Sequence, residues 1–199
     1  MPDFATKPTL RGAVVTLVPV TVEHFPDLMS MLTDPEIGRL TGSRGDMDQD
    51  VVENWYATRA DQPDRLDLAI IDNSTGACVG EAVLNEWDRD NQSCNFRIAL
   101  IPTALGRGFG TEATRLIVGY GFEKLDLHRI SLEVYDFNPR AKRAYEKAGF
   151  VEEGRRRDAL LWDGEWIDAI VMSILATEWQ HHHSGSSSHR AEQIGRALS

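Results

Sequence analysis

Leu105-Gly106-Arg107-Gly108-Phe109-Gly110 is the stretch that decides how this 199-residue chain folds. Three glycines alternate directly before an apolar-periodic run. Ala113, Leu116, Ile117 and Tyr120 stand at i, i+3, i+4 and i+7, which predicts a helix over 110–124. Glycine reaches positive φ without strain, and its missing Cβ lets a ligand approach the backbone. The first N–H groups of a helix have no partner inside it, and with the macrodipole they favour an anion, phosphate above all. Spacing alone leaves two readings open: a phosphate cradle, or a tight strand-to-helix turn without a ligand.

Upstream of the loop, Phe96, Ile98 and Leu100 alternate with Asn95, Arg97 and Ala99, the period of a strand with one core face. Strands over 66–72 and 78–87 precede it, joined by polar turns, so the three form an antiparallel meander. A strand over 13–20 and helices over 21–32, 35–40 and 48–59 come first. Downstream lie a strand over 129–135 and a helix over 139–148, opened by Pro139 and closed by Gly149. Two final strands, 151–161 and 166–175, meet at the Asp163-Gly164 hairpin turn. The last is apolar on both faces, which predicts an interior position. The expected class is α/β (α+β): a mixed, mostly antiparallel central sheet of about seven strands flanked by helices.

Charge is unevenly spread. The chain carries a formal net charge of −10, yet residues 105–157 hold eleven Lys/Arg against eight Asp/Glu. The acidic body argues against general nucleic-acid binding, and the basic stretch around the glycine loop suits an anionic ligand. No apolar run approaches the roughly 18 residues that span a bilayer, and Met1–Leu10 lacks an apolar signal region, so the cytosol is the expected location. Cys78 and Cys94 do not make a disulfide framework. From residue 179 to 199 the chain reads as a polar low-complexity tail with a short terminal helix. The run His181-His182-His183 there fixes no coordination geometry, and no metal is expected.

Three phosphate binders compete for the loop. A Walker A loop is excluded, because no Gly-Lys-Ser/Thr follows. Residues 108–113 fit the dinucleotide pattern G-x-G-x-x-A formally, with Glu133 near a later strand end, but that fold needs a parallel βαβ series. The third candidate is coenzyme A. Residues 105–110 resemble the pyrophosphate loop of the GNAT N-acetyltransferases. Gly110-Thr111-Glu112-Ala113, Asn138-Pro139-Arg140-Ala141 and the run from Ala144 to Phe150 look like the branch containing ribosomal-protein N-terminal acetyltransferases and spermidine acetyltransferase. The resemblance covers roughly 10–178, the expected domain. It departs at Leu105, where the family has Arg or Gln.

The resemblance implies an acetyl-CoA-dependent N-acetyltransferase acting on a primary amine. The acceptor would be a peptide N-terminus or a small cationic amine. The pantetheine arm would lie along the strand before the loop, against the backbone of Ile98 and Leu100. The amides of Leu105, Gly106, Arg107, Gly108, Phe109 and Gly110, with Thr111, would hold the pyrophosphate. Asn138 would meet the pantetheine and Arg140 the 3′-phosphate side, while Lys142 and Arg143 read as a solvated helix face. Tyr145 matches the family's tyrosine, a phenol able to protonate the departing thiolate. For the base, Glu81, Glu86 and Asp88 are available, and Glu86 is chosen, with His128 a weaker candidate. Twelve acidic residues against four arginines over 21–65 and 162–165 favour a cationic acceptor, and Trp55, Trp87 and Trp162 are candidate cleft walls. The branch also implies a homodimer or larger. The rival reading is a non-catalytic acyl-CoA sensor or scaffold on the same fold.

Overall fold

A computed structural model describes residues 4–44 and 48–180. Asp46 and the 181–199 tail, with its histidine run, therefore lie outside the described residues. Eight strands form one sheet: β1 (Leu10–Arg11), β2 (Val15–Pro19), β3 (Leu66–Asp72), β4 (Cys78–Asp88), β5 (Ser93–Leu100), β6 (Arg129–Tyr135), β7 (Val151–Trp162) and β8 (Glu165–Leu175). Their spatial order is β1-β2-β3-β4-β5-β6-β8-β7. The expected meander is β3-β4-β5, and the doubly apolar last strand, β8, lies inside, between β6 and β7. The eighth strand is β1, two residues too short to show a period.

Helices α1 (Phe25–Leu32), α2 (Pro35–Thr41) and α3 (Gln49–Ala57) come before the meander, α4 (Phe109–Lys124) after it, and α5 (Pro139–Ala148) follows β6. Local chemistry sets their ends. Asp34 accepts the N–H groups of Glu36 and Ile37 at 2.9 and 3.0 Å, and Asp48 those of Asp50 and Val51. Gly42 and Gly149 close α2 and α5 in the left-handed region.

Strand alternation sorts two cores onto the two sheet faces. On one face Leu84, Phe96, Ile130 and Met172 pack with Ala113, Ile117 and Val118 of α4. On the other, Ala69 and Cys78 meet Phe25, Leu28, Met31, Ile37 and Tyr56 from α1–α3. Phe4 and Trp179 are also buried in the main core, so it gathers residues from both sides of 10–178.

All neighbouring strands run antiparallel except β5 and β6. Their parallel pairing stops after three residues, Ser93–Asn95 against Arg129–Ser131. Yet β5 continues to Leu100 and β6 to Tyr135, so the two strands part and open the sheet between them. On the α4 side the rings of Phe96, Tyr145 and Phe150, centroids about 6 Å apart, fill the fork.

One carboxylate joins α4 to the start of β2. Glu112 accepts the backbone N–H groups of Ala13, Val14 and Val15 at 2.9, 2.7 and 2.8 Å. A Cβ on Gly12 would stand 2.5 Å from its Oε2. Replacing the charged acceptor weakens three bonds together. Glu112→Gln is expected to lower unfolding free energy by about 1–3 kcal/mol in urea titration. An unchanged midpoint would remove this tie from the account.

Candidate active site

The parted strands open a cleft of about 1090 Å³, at the large end of the roughly 300–1,000 Å³ usual for ligand sites. One end is built by the glycine loop and α5, the other by α1–α3.

At the loop end, Gly106 and Gly108 adopt φ of 76° and 85°, a region that a side chain would strain. Nothing lies within 4 Å of a Cβ built on either, so the space above the loop is open. No described residue accepts a hydrogen bond from the backbone N–H of any residue from 106 to 111. Six consecutive donors are therefore unpaired at the N-terminus of α4, and Gly106, Gly108, Gly110 and Thr111 among them line the cleft, an arrangement that suits phosphate oxygens. Leu105 is not among them: its N–H is bonded to the Pro102 carbonyl at 3.2 Å, and its side chain packs against the main core. The loop's first residue thus serves packing, which accommodates the departure from Arg or Gln.

The side chains of Arg107 and Phe109 turn away from the cleft lining. The Arg107 guanidinium turns back to Asp72, 3.1 Å away, and lies over the Phe109 ring, which is buried. Asp72 also accepts from the Ser74 N–H and hydroxyl at 2.8 and 2.7 Å, bonds that hold its carboxyl below the usual range. The ion pair fastens the loop to the β3–β4 turn.

The strand edge comes next. Ile98 and Leu100 lie in the part of β5 that has left β6, and both line the cleft. Across it, Asn138 caps α5, its Oδ1 accepting the Ala141 N–H at 3.1 Å, and the residue lines the cleft. Arg140 and Arg143 line the same wall, whereas Lys142 is held by Glu146 and Glu152 at 2.9 and 3.0 Å. Tyr145 is 8% exposed and also lines the cleft. Its hydroxyl makes no hydrogen bond to the described residues, and burial pushes its pKa up to about 12. It is a protonated phenol at any neutral pH.

The third group of residues was not assembled by sequence reasoning. On the sheet face toward α1–α3 stand Glu81, Val83 and Asn85 of β4, and opposite them Ala99, Arg97 and Asn95 of β5. Glu81 accepts the Tyr56 hydroxyl at 3.0 Å. Burial, with Asp67 nearby, raises the Glu81 carboxyl, although the Tyr56 bond pulls the other way. Glu86 is exposed, in the β4 bulge, at φ 54°, and lines the cleft as well. Glu133 is bonded to Arg156, and Arg65 to Asp67 at 2.6 Å. The only available signal for this group was β-alternation combined with pairing register, and register was not readable without the bulges.

Other expected members lie elsewhere. His128 is exposed and outside the cleft lining, and Asp88 accepts from the Asn91 backbone and carboxamide in its own turn. Trp55 lines the cleft, but Trp87 packs on Phe4 and Trp162 lies under Arg44. Of the twelve acidic residues of 21–65 and 162–165, the eleven described are all absent from the lining. Burial raises the thiols of Cys78 and Cys94 to about 11 and about 12, so neither is a thiolate at neutral pH.

Residues 15–151 match the family model described as an acetyltransferase (GNAT) domain. A Bacillus subtilis protein provisionally named a ribosomal N-acetyltransferase is 30% identical over 105 residues, 53% of this chain and 57% of that protein. The spermidine N(1)-acetyltransferase of Vibrio cholerae is 31% identical over 110 residues, 55% of this chain and 64% of that protein. The matches thus span less than two thirds of these relatives' own length. A crystal structure of spermidine N-acetyltransferase from Vibrio cholerae with CoA and spermine shares the fold. It has a TM-score of 0.79 at 24% identity, covering 85% of this chain and 99% of that one.

The loop geometry separates backbone from side-chain roles. In calorimetric titration with CoA, Arg107→Ala is expected to change affinity by no more than about fivefold, the scale of one exposed charge. Gly108→Val, which places a branched side chain at φ 85°, is expected to weaken binding by more than about tenfold. The reverse ranking would mean that side chains bind the phosphates.

Proposed function

The chain belongs to the GNAT acetyltransferase family, and on that premise we propose that it is an acetyl-CoA-dependent N-acetyltransferase acting on a primary amine. The observation that carries the reading is the alignment of three things along one cleft. Six unpaired N–H donors lead to an unpaired strand edge, and that edge leads to the Tyr145 phenol. The residues fit coenzyme A: the loop cradles a diphosphate, the β5 edge offers backbone groups to pantetheine amides, and Arg140 and Arg143 offer charge to a further phosphate. Acetyl-CoA supplies an acetyl group activated as a thioester.

The residues then divide the proton work. The amine nitrogen bonds to the acetyl carbon and the carbon–sulfur bond breaks. Tyr145 gives its hydroxyl proton to the departing sulfur. A carboxylate takes the proton lost by the amine, and proton exchange with water resets both groups. Two carboxylates face the acceptor space. Glu86, the residue the sequence favours, stands exposed at the bulge. Glu81 is enclosed, oriented by Tyr56, and raised toward the pH range where a base is most effective, so we assign it the proton. Glu86 then serves as a polar wall near the entrance.

The acceptor is an amine of the kind found at a peptide N-terminus or in a small molecule. A cationic acceptor draws support from Glu81 and Glu86 in the cleft and from the acidic outer surface, whereas the described acidic residues of 21–65 and 162–165 do not line the cleft. The same reading carries a cytosolic location, with both thiols free and reduced, and a homodimer or larger assembly by analogy with the branch.

The test is acetyl-CoA-dependent release of free thiol against pooled amines. Tyr145→Phe is expected to lower kcat by about 10²- to 10⁴-fold while CoA affinity holds. Because Glu81 must be deprotonated to act, activity should fall as pH drops through its raised pKa. Glu81→Gln should flatten that acid limb and slow turnover, whereas Glu86→Gln should keep the limb. A Tyr145→Phe variant with full turnover would sink the acid assignment. An acid limb kept in Glu81→Gln and lost in Glu86→Gln would return the base to Glu86.

A further inference from the structure

The acceptor end of the cleft contains one cation with nothing to hold. Arg97 projects from β5 on the face toward α1–α3 and lines the cleft, yet it makes no hydrogen bond or ion pair with any described residue. The other arginines of the lining are accounted for. Arg65 is paired with Asp67 and Arg156 with Glu133, while Arg140 and Arg143 belong to α5 on the coenzyme side. The free donors for a diphosphate lie in the loop, on a different segment from Arg97. Gly106, the first free donor of the loop, lies nine residues further along the chain, past the end of β5 at Leu100 and a 3₁₀ turn over Pro102–Ala104. Mid-strand, beside Tyr145, the arm of the coenzyme is uncharged.

Glu81 is the diagonal neighbour of Arg97, since Glu81 opposes Ala99 and Val83 opposes Arg97. Such positions lie about 7–8 Å apart at the backbone. The two side chains feel each other's charge but form no ion pair. A carboxylate and an exposed, unpaired guanidinium lining one cleft are the complement of an ammonium and a carboxylate joined by a few bonds. Beyond them the helices contribute Leu32, Leu40 and Val52, with Thr41 and Ser43 beside them and Trp55 under the Arg59 guanidinium.

We infer that the acceptor is a compact zwitterion, an α-amino acid with an apolar side chain, whose carboxylate sits on Arg97 and whose amine sits at Glu81. This rests on the transferase reading and names its substrate class. A bidentate guanidinium–carboxylate bond supplies the orientation, and Leu32, Leu40 and Val52 select the side chain. The transfer is the one already described: the nitrogen–carbon bond forms, the carbon–sulfur bond breaks, and Glu81 and Tyr145 exchange the protons.

The experiment compares L-leucine, L-leucinamide and spermidine as acceptors in the thiol-release assay, for the full chain and its Arg97→Gln variant. Calorimetric binding of leucine to the CoA-loaded protein provides a readout independent of turnover. Leucine is expected to exceed leucinamide in kcat/KM by about 10- to 100-fold, the scale of one charge-assisted bond. Arg97→Gln should erase that gap and the leucine binding heat, with CoA affinity and melting temperature unchanged. Equal or better use of leucinamide would point to a peptide N-terminus and overturn the inference, as would a preference for spermidine. Both of those outcomes leave the transferase reading standing. If no amine in a broad pool is acetylated although CoA binds, the transferase reading falls, and this inference with it.

Discussion

The parting of β5 from β6 is the constraint on which the rest of the site depends. Parallel pairing holds for three residues, and then two strands in the middle of an eight-stranded sheet run on without each other. Backbone N–H and C=O groups are strong hydrogen-bonding groups that native structures rarely leave unsatisfied away from water. An inner edge left open inside a cleft therefore calls for water or for a ligand that continues the ladder. The loop after β5 repeats the same logic at a helix terminus, where residues 106–111 present donors that no described residue takes. Edge and loop are joined by a short connection with a 3₁₀ turn over Pro102–Ala104 and line one cleft, so one extended ligand with amides at one end and phosphates at the other suits both.

Ring packing and two polar ties fix the opening. Phe96, Tyr145 and Phe150 fill the fork on the α4 face, and Glu112 and Asp72 fasten α4 and its loop to the β2 and β3 ends. Tyr145 thus belongs to both parts: its ring is in the wedge, and the residue lines the cleft. Burial that favours the neutral phenol also suits a proton donor. On the opposite face, α1–α3 close only partly over β4 and β5, and there the charged residues Glu81 and Arg97 meet the cavity. The acidic character of the sequence and the chemistry of the cleft are separate matters. Acidic residues populate the outer faces of α1–α3, while the cleft is lined by more arginines than carboxylates.

Much of this was legible in the sequence because it is local. The alternating glycines, the helix at 109–124 and the Asp- and Asn-capped helices are decided by residues within one turn of each other. The meander was legible because short polar turns leave few alternatives. Leu105 and Arg107 show the limit of motif reading. Both belong to the loop, but a carbonyl at Pro102 and a carboxylate at Asp72 take their polar groups out of the cradle. The acceptor side was harder still. Tyr56 and Glu81 are 25 residues apart and meet only through tertiary packing. The neighbours of Arg97 follow from a register that the β4 bulge shifts. Summed charge over 21–65 said nothing about which side chains turn inward.

The most direct measurement is amide hydrogen exchange of the full chain with and without CoA. If the open backbone of loop and strand edge is the coenzyme site, the amides of residues 106–111 and those of 96–100 that face β6 should gain protection together on adding CoA. The paired amides of β3 and β8 should change little. Protection confined to another surface, or none despite measured CoA binding, would contradict the account.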